Sequence, residues 1–191
     1  MSKPDKRQEI MHAALDLLAE QGFHGAPMAQ IASHAGVAAG TIYCYFESRD
    51  VLIRELYHDI EGRINAQIEE GAAASIPIRH RFNLVCSVLL NYFIDHPLEF
   101  RYVEQFHNSP YGTEHRRDKL LGRNGEAQPC RDLFLLGISE GVIKDLPLVV
   151  LYAMTFGPLV ILARDHILGF VVLDKTLIER IIDACWDGVK R

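Results

Sequence analysis

Cysteine is scarce in this 191-residue chain, and Cys44, Cys86, Cys130 and Cys185 stand too far apart to form a C-x-x-C pair. That spacing gives no support to a zinc ribbon or a dithiol redox motif. Catalytic signatures are missing as well: there is no G-x-S-x-G elbow, no P-loop and no G-x-G-x-x-G turn. Nine histidines occur without H-E-x-x-H or another metal-ligand spacing, so neither a metal nor an organic cofactor is expected. Cys44 falls on a short helix that reads as a surface reader, a poor place for a nucleophile. The opening MSKPDKRQEI carries charge with no apolar stretch behind it, unlike a secretory signal. Internal repeats and low-complexity tracts are lacking. An enzymatic role therefore rests on nothing positive, and the expectation is a cytoplasmic protein with reduced thiols.

Basic charge is in deficit too, with 20 Lys and Arg against 25 Asp and Glu, a formal net charge of −5. The apolar share of 49% and charged share of 24% are those of an ordinary globular protein, with length enough for one core or two small ones.

What the chain does have is the stretch from Met28 to Phe46, MAQIASHAGVAAGTIYCYF. Met28, Ile31 and Ala32 form an i, i+3, i+4 apolar face, the mark of a short amphipathic helix. Ala35-Gly36 closes it, because glycine takes the left-handed conformation without a Cβ clash. Val37 is expected as a buried plug. Gly40 to Phe46 reads as a second helix, with Ile42 and Phe46 inward and Thr41, Tyr43 and Tyr45 free to face outward. Two short helices around a glycine turn make a helix-turn-helix, whose second helix fits a DNA major groove. Ahead of it, Lys6 to Gln21 places Ile10, Ala13, Ala14, Leu17 and Leu18 on one stripe, with Phe23 closing below. Behind it, Ser48 is placed to cap a long helix starting at Arg49.

The order RQEIMHAALDLLAEQGFHGAPMAQIASHAGVAAGTIYCYFESRDVLIREL resembles the N-terminal DNA-binding domain of the TetR/AcrR family of one-component regulators. The resemblance covers residues 7 to 55 and rests on AxxLxxxxG, IAxxAGVxxGTIYxYF and SRDxL together. It implies an all-α fold of about nine helices: a three-helix helix-turn-helix domain over 1–48 and a helical ligand-binding and dimerisation domain over 49–191. It also implies DNA contacts at Pro27, Met28, Ala29, Ala39, Gly40, Thr41, Tyr43, Cys44, Tyr45 and Arg49. Arg49 stands where the family usually has a phosphate-binding lysine. The chain departs from the pattern where Ala26-Pro27 and Ala38 replace the usual Ser or Thr caps, each loss costing about 0.5–2 kcal/mol locally. Pro27 offsets part of this, being preorganised for a helix start. Ala29 and Ala39 replace polar readers, so specificity falls on Tyr43, Thr41, methyl contacts and DNA shape. Tyr45 is left between groove and core.

Residues 1–50 hold Lys3, Lys6, Arg7 and Arg49 against Asp5, Glu9, Asp16, Glu20, Glu47 and Asp50. Phosphates see only the facing surface, and the four basic residues can line one face. Even so, the balance predicts modest non-specific affinity and a shallow salt slope.

Beyond Arg49 the apolar stripes continue. Leu52, Ile53, Leu56, Tyr57, Ile60, Ile64 and Ile68 mark a helix to about Glu70, broken by Gly71 to Pro77. Further helices are expected at Arg79–Asp95, with Leu89 inward, at Leu98–His107 and at Gln128–Glu140. Asn108 to Gly125 reads as a solvated loop with a helical turn or two, or as a lid over a ligand site. Leu146 to Ala163 is eighteen residues without a charge, just long enough to span a membrane. Gly157-Pro158 in its middle favours instead a buried helix. Thr176 to Glu179 reads as a capping box for the last helix.

That last helix is apolar over a wide face, and with the uncharged one it suggests a four-helix seam between two copies. Leu159, Leu162, His166, Ile178, Ile181, Ile182, Cys185 and Trp186 are the expected seam residues. An apolar or aromatic effector is expected among Phe82, Tyr92, Phe93, Tyr102, Phe106, His107, Phe134 and Met154. Met154 is included because Pro158 cannot bond its carbonyl; Asp165-His166 are further polar handles. The partners expected are double-stranded operator DNA bearing an inverted repeat, a small-molecule effector and a second copy, with no membrane. The competing reading is a helical interaction protein with a vestigial helix-turn-helix.

Overall fold

Ten α-helices carry the chain in the computed structural model, which describes residues 6–71, 76–123 and 128–191. Lys3, residues 72–75 of the expected helix break, and Asn124 and Gly125 lie outside the described residues. Helix α1 spans Lys6–Gly25, but Gly22 has φ 75 and ψ 171, so regular helix ends at Gln21 as the stripe predicts. α2 is Met28–His34, α3 Ala39–Ile42, α4 Arg49–Gly71, α5 Ile78–Asp95 and α6 Pro97–His107. α7 is Pro110–Leu121, α8 Pro129–Ser139, α9 Leu148–Ile167 and α10 Lys175–Val189. The tenth helix, α7, corrects the expected loop over 108–125. Of its turn signals, Ser109-Pro110 sits at the start, where Pro110 takes the first helical position, and Tyr111-Gly112 lies inside the first turn; Gly122, with φ 66, follows the last turn.

Two compact units divide the chain: 6–61 with 98–115, and 62–97 with 116–191, within the described residues. The first unit therefore reaches past residue 48 and takes in α6 and the start of α7. Its core is the stripe read from sequence: Ile10, Ala13, Ala14, Leu17 and Leu18 of α1, with Leu52, Ile53, Leu56, Tyr57 and Ile60 of α4, all buried. Tyr102 of α6 is fully buried and donates its hydroxyl to the Ile53 carbonyl at 2.5 Å. Gln105 donates to the Ala19 carbonyl at 3.0 Å, and the Phe23 ring lies 5.6 Å from that of Tyr102. Gly112 permits a closer approach: a Cβ there would sit 2.2 Å from the Phe106 carbonyl oxygen, so α6 and α7 meet backbone to backbone.

In the second unit α5, α9 and α10 pack on one another, and α8 packs against α5 and α9. Leu90 rather than Leu89 joins Phe82, Val85, Cys86, Tyr92 and Phe93 in the buried face of α5. Phe82 meets Trp186 edge-on with centroids 5.1 Å apart, while Arg79 lies over the Trp186 ring at 4.9 Å and pairs with Asp183. α10 is capped by Asp174, whose carboxylate accepts from Leu177 N at 2.8 Å. This corrects the capping box expected two residues later: Asp174 already has extended backbone, φ −81 and ψ 169, and Thr176 lies inside the helix. Residues 142–144 run antiparallel to the chain end, with Lys144 N donating to Val189 O and Arg191 N to Val142 O.

Candidate nucleic-acid interface

The helix-turn-helix closes through its backbone. Gly36, at φ 65, lets Val37 N reach Ala32 O at 2.9 Å and Gly36 N reach Ser33 O at 3.1 Å, the paired bonds of a glycine-terminated helix end. Neither α2 nor α3 has a side-chain cap; Pro27 and Ala38 occupy the capping positions with extended backbone. Burial supplies the stability that the caps do not. Ile31, Ile42 and Phe46 are wholly buried, and each such side chain contributes about 1.5–3 kcal/mol, more than a missing cap costs. Val37 is half-buried, less of a plug than its sequence suggests. α3 is shorter than expected: one α-helical turn to Ile42, after which Cys44 N bonds Thr41 O and Tyr45 N bonds Ile42 O in a tight turn.

The result is a rigid inner edge, Ile42 and Phe46, under an exposed outer one. Tyr43 is 56% and Tyr45 40% exposed, Cys44, Ala39 and Gly40 are exposed, and Thr41 is half-buried. Tyr45 therefore faces solvent rather than the core. Pro27 and Ala29 are exposed on α2, whereas Met28 is 7% exposed and belongs to the core, which leaves it only backbone to offer DNA. Arg49 is half-buried, with Nε and one terminal nitrogen shielded and unbonded, so a phosphate would reach its full fork only after the side chain turns outward.

The positive charge expected on this face is mostly spoken for. Lys6 pairs with Glu9 at 2.5 Å. Arg7 pairs with Glu55 at 2.5 Å while lying over the Phe46 ring at 5.3 Å. The start of α4 is tied down by further bonds. Ser48 Oγ accepts from Val51 N at 3.2 Å, the expected cap, and Tyr111 donates to Asp50 at 2.6 Å. That bond, with burial and the Asp50 charge, raises the Tyr111 phenol above its usual pKa.

The aromatic residues expected to hold an effector divide between the units. Tyr102 and Phe106 are buried in the first, where Tyr57 stacks on Phe106 at 3.9 Å. His107 is exposed there, its Nε2 3.3 Å from the Tyr57 hydroxyl. Phe82, Tyr92, Phe93 and Phe134 are buried in the second. Met154 is 38% exposed, so it lines no interior. Sequence reasoning misses its neighbour Thr155, fully buried with a hydroxyl that has no hydrogen-bond partner. Four-residue spacing places Thr155 on the buried face of Leu151 and Leu159; on the adjoining face the Tyr152 and Phe156 rings meet Phe134 at 5.5 and 6.0 Å. A lone threonine inside an apolar run gives little signal of this.

The residues expected at the seam divide by burial within the single chain. Leu159, Ile178, Ile182 and Cys185 are buried inside the subunit, and Leu162, His166, Ile181 and Trp186 are half-buried. Part of the wide apolar face of α10, at Ile178, Ile182, Cys185 and Val189, is buried where it packs on α5 and α9, while Leu177, Ile181 and Trp186 stay half-buried. His166 has a structural part: its Nδ1 lies 3.1 Å from both Leu173 N and Val171 O. The uncovered apolar surface lies instead on Leu135 and Leu136 of α8, on Val149, Val150, Met154 and Ile161 of α9, and on Leu168, Phe170 and Val172 beyond it. Cys86, Cys130 and Cys185 converge electrostatically, and burial first, then these neighbouring thiols, holds the Cys86 thiol well above its usual pKa.

A glycine-turned helix pair with an exposed recognition turn, braced by α1, defines a helix-turn-helix DNA-binding regulator. The family is more specific. Residues 10–56 match the model for bacterial regulatory proteins of the tetR family, and residues 77–190 match a Tetracyclin repressor-like C-terminal domain. This chain belongs to the TetR family of transcriptional regulators, a non-enzymatic family whose members act inside the cell. A TetR-family regulator structure from Vibrio parahaemolyticus is 33% identical, covers 98% of this chain and 99% of its own, and superposes with a TM-score of 0.77. The Fatty acid metabolism regulator protein of Bacillus subtilis is 25% identical over 95% of this chain and 96% of its own. A structure of the regulator FadR from Bacillus subtilis in complex with stearoyl-CoA shares the fold, with TM-score 0.75, 20% identity and coverage of 95% and 98%.

Proposed function

We propose that the chain is a ligand-responsive, cytoplasmic homodimeric repressor that binds an inverted-repeat operator and leaves it when a small apolar effector enters the C-terminal domain. The observation that carries the DNA reading is the outward edge of Thr41, Tyr43, Cys44 and Tyr45 set on buried Ile42 and Phe46. Three hydroxyls, a thiol and a threonine methyl are offered there by a backbone the core holds still. In this reading residues 1–48 read DNA and 49–191 sense the effector and dimerise. The DNA contacts are Thr41, Tyr43, Cys44 and Tyr45 with the backbone around Pro27, Met28, Ala29, Ala39 and Gly40, and Arg49 in a turned-out conformation.

The seam we propose follows Val150, Met154, Gly157 and Ile161 along α9, with Leu135 and Leu136 of α8 beside it. Exposed apolar surface at this spacing is costly in water and suits a two-fold partner or a lipid phase equally. Family membership favours the partner, since the C-terminal domain match includes α9. For the effector, the orphan hydroxyl of Thr155, buried in the same unit as the Phe134, Tyr152 and Phe156 ring cluster, supports an apolar or aromatic body with one polar atom. An acyl chain is the class to try first, given the fatty-acid name and the stearoyl-CoA complex of the two Bacillus subtilis proteins.

Selection of bound fragments from the source genome at moderate salt tests the reading. Recovery of a short inverted repeat, released by an effector that also raises the melting temperature, is the expected result. Ion pairing of Lys6 and Arg7 favours one rival, an interaction module with a vestigial helix-turn-helix. No motif at any salt from refolded, ligand-free protein decides for that rival.

A further inference from the structure

One cluster in the first unit has no part in reading DNA. His58 and Glu61 stand three residues apart on α4, and His115 reaches them from α7. Their candidate ligand atoms all lie within 4.8 Å of one another. His115 Nε2 is 3.4 Å from Glu61 Oε1, and His58 Nδ1 is 4.0 Å from Glu61 Oε2. His115 is 8% exposed, and its Nε2 is shielded from solvent without a hydrogen-bond partner. A buried ring nitrogen aimed at a carboxylate in poor hydrogen-bonding geometry leaves either a donor or a lone pair unsatisfied, and that costs stability.

We propose that His58, Glu61 and His115 form a binding site for a divalent transition-metal ion of the zinc class. Two imidazoles and a carboxylate are the donor set that suits zinc and its neighbours and disfavours magnesium or calcium. With bonds of about 2.1 Å, tetrahedral ligands sit about 3.4 Å apart; the His115–Glu61 pair already has that separation. His58 must close by about half an ångström on Glu61 and by up to about 1.4 Å on the remaining ligand atoms, which an exposed side chain does by rotating about its own bonds. The buried ligand is held in place: the His115 ring meets Tyr57 edge-on with centroids 4.8 Å apart and Phe106 at 6.1 Å. Locked orientation of one ligand and freedom of another give a fixed site with an entry path. The side chain of His58, 44% exposed, marks that path and leaves a fourth position for water. The ion would join α4 to α7, so it acts on the helix that follows the recognition turn. The inference stands on these three residues and not on the DNA reading.

Untagged protein stripped with chelator and titrated with Zn2+ by calorimetry tests it, with Co2+ absorption reporting the ligand field. Saturable binding of one ion per chain is expected, with a rise in Tm, and at least a tenfold loss of affinity in His58→Ala and in Glu61→Gln. His58 is exposed, so His58→Ala should keep the parent circular dichroism and metal-free Tm even if His115→Ala fails to fold. Absence of saturable binding overturns the proposal, and so does binding that His58→Ala and Glu61→Gln leave unchanged.

Discussion

Replacing Tyr43 by phenylalanine removes one oxygen from the outer edge of the recognition turn and nothing from the core. Because Tyr43 is 56% exposed and its neighbours Ile42 and Phe46 carry the packing, the folded state should lose less than about 0.5 kcal/mol. A hydroxyl bonding a phosphate or base edge contributes about 1.5 kcal/mol or more when its acceptor is charged. That is about tenfold in affinity per subunit and about a hundredfold for a dimer using both copies. A neutral hydroxyl releases no counterion, so the ratio between parent and variant should be the same at low and high salt, unlike the loss of a lysine contact. Fluorescence anisotropy on a labelled operator at two salt concentrations reads this, with circular dichroism confirming an unchanged Tm. Equal affinity of parent and Tyr43→Phe removes Tyr43 from the interface. A loss that comes with a lowered Tm refutes the claim that its role is outward.

Gly112→Ala should destabilise the first unit by about 3 kcal/mol or more, because the new Cβ meets backbone at 2.2 and 2.5 Å; Gly62→Ala, with open space around it in the middle of α4, should stabilise by up to about 1 kcal/mol. Thermal melts of the two variants should shift in opposite directions. Burial raises the Cys86 thiol and the Tyr102 phenol above their usual values, so the unfolded chain loses these protons first as pH rises. Stability should therefore be intact below about pH 8.5 and fall above it, and Cys86→Ala should flatten the early part of that fall in a pH series of melts. Ile161→Glu, at an exposed position of the proposed seam, should shift the sedimentation mass from two copies to one without lowering helicity; an unchanged dimer moves the seam elsewhere.

Local periodicity makes most of the helices legible in the amino-acid sequence alone. The α1 and α4 stripes are buried as they read, Gly36 turns the helix pair, and Ser48 caps α4. What the sequence does not carry is which apolar face meets which. α10 has a wide apolar face whether it packs on α5 and α9 or on a second copy, and only the three-dimensional arrangement assigns Ile178, Ile182 and Cys185 to the interior. α7 is hidden because its terminal Pro and Gly signals suggest turns throughout a charged segment whose apolar face is narrow, with only Gly112 and His115 buried. His115 itself is invisible as a partner of His58 and Glu61, since more than fifty positions separate it from them. The acidic balance is plain from composition, but its consequence is not: Arg7 is no open phosphate site but half of a pair with Glu55.

These pairings bear on how an effector could act in the proposed mechanism. The first turns of α4 are held by Tyr111 on Asp50, Tyr102 on the Ile53 carbonyl, Arg54 on Glu114 and Arg7 on Glu55. At about 1–2 kcal/mol for each of the two tyrosine hydrogen bonds and up to about 1 kcal/mol for each of the two solvent-exposed ion pairs, breaking all of them costs about 4 kcal/mol, a large part of the differential affinity of about 5.5 kcal/mol that a full switch between two states needs. An effector that used its whole binding advantage to free the start of α4 would have little left to favour the released state. The cheaper route keeps these bonds and moves α4, α6 and the start of α7 together with the recognition turn. Residue 49 is then where the reader ends in sequence, but the piece that moves extends at least to Glu61, and ligands that shift α6 or α7 shift Tyr43 with them.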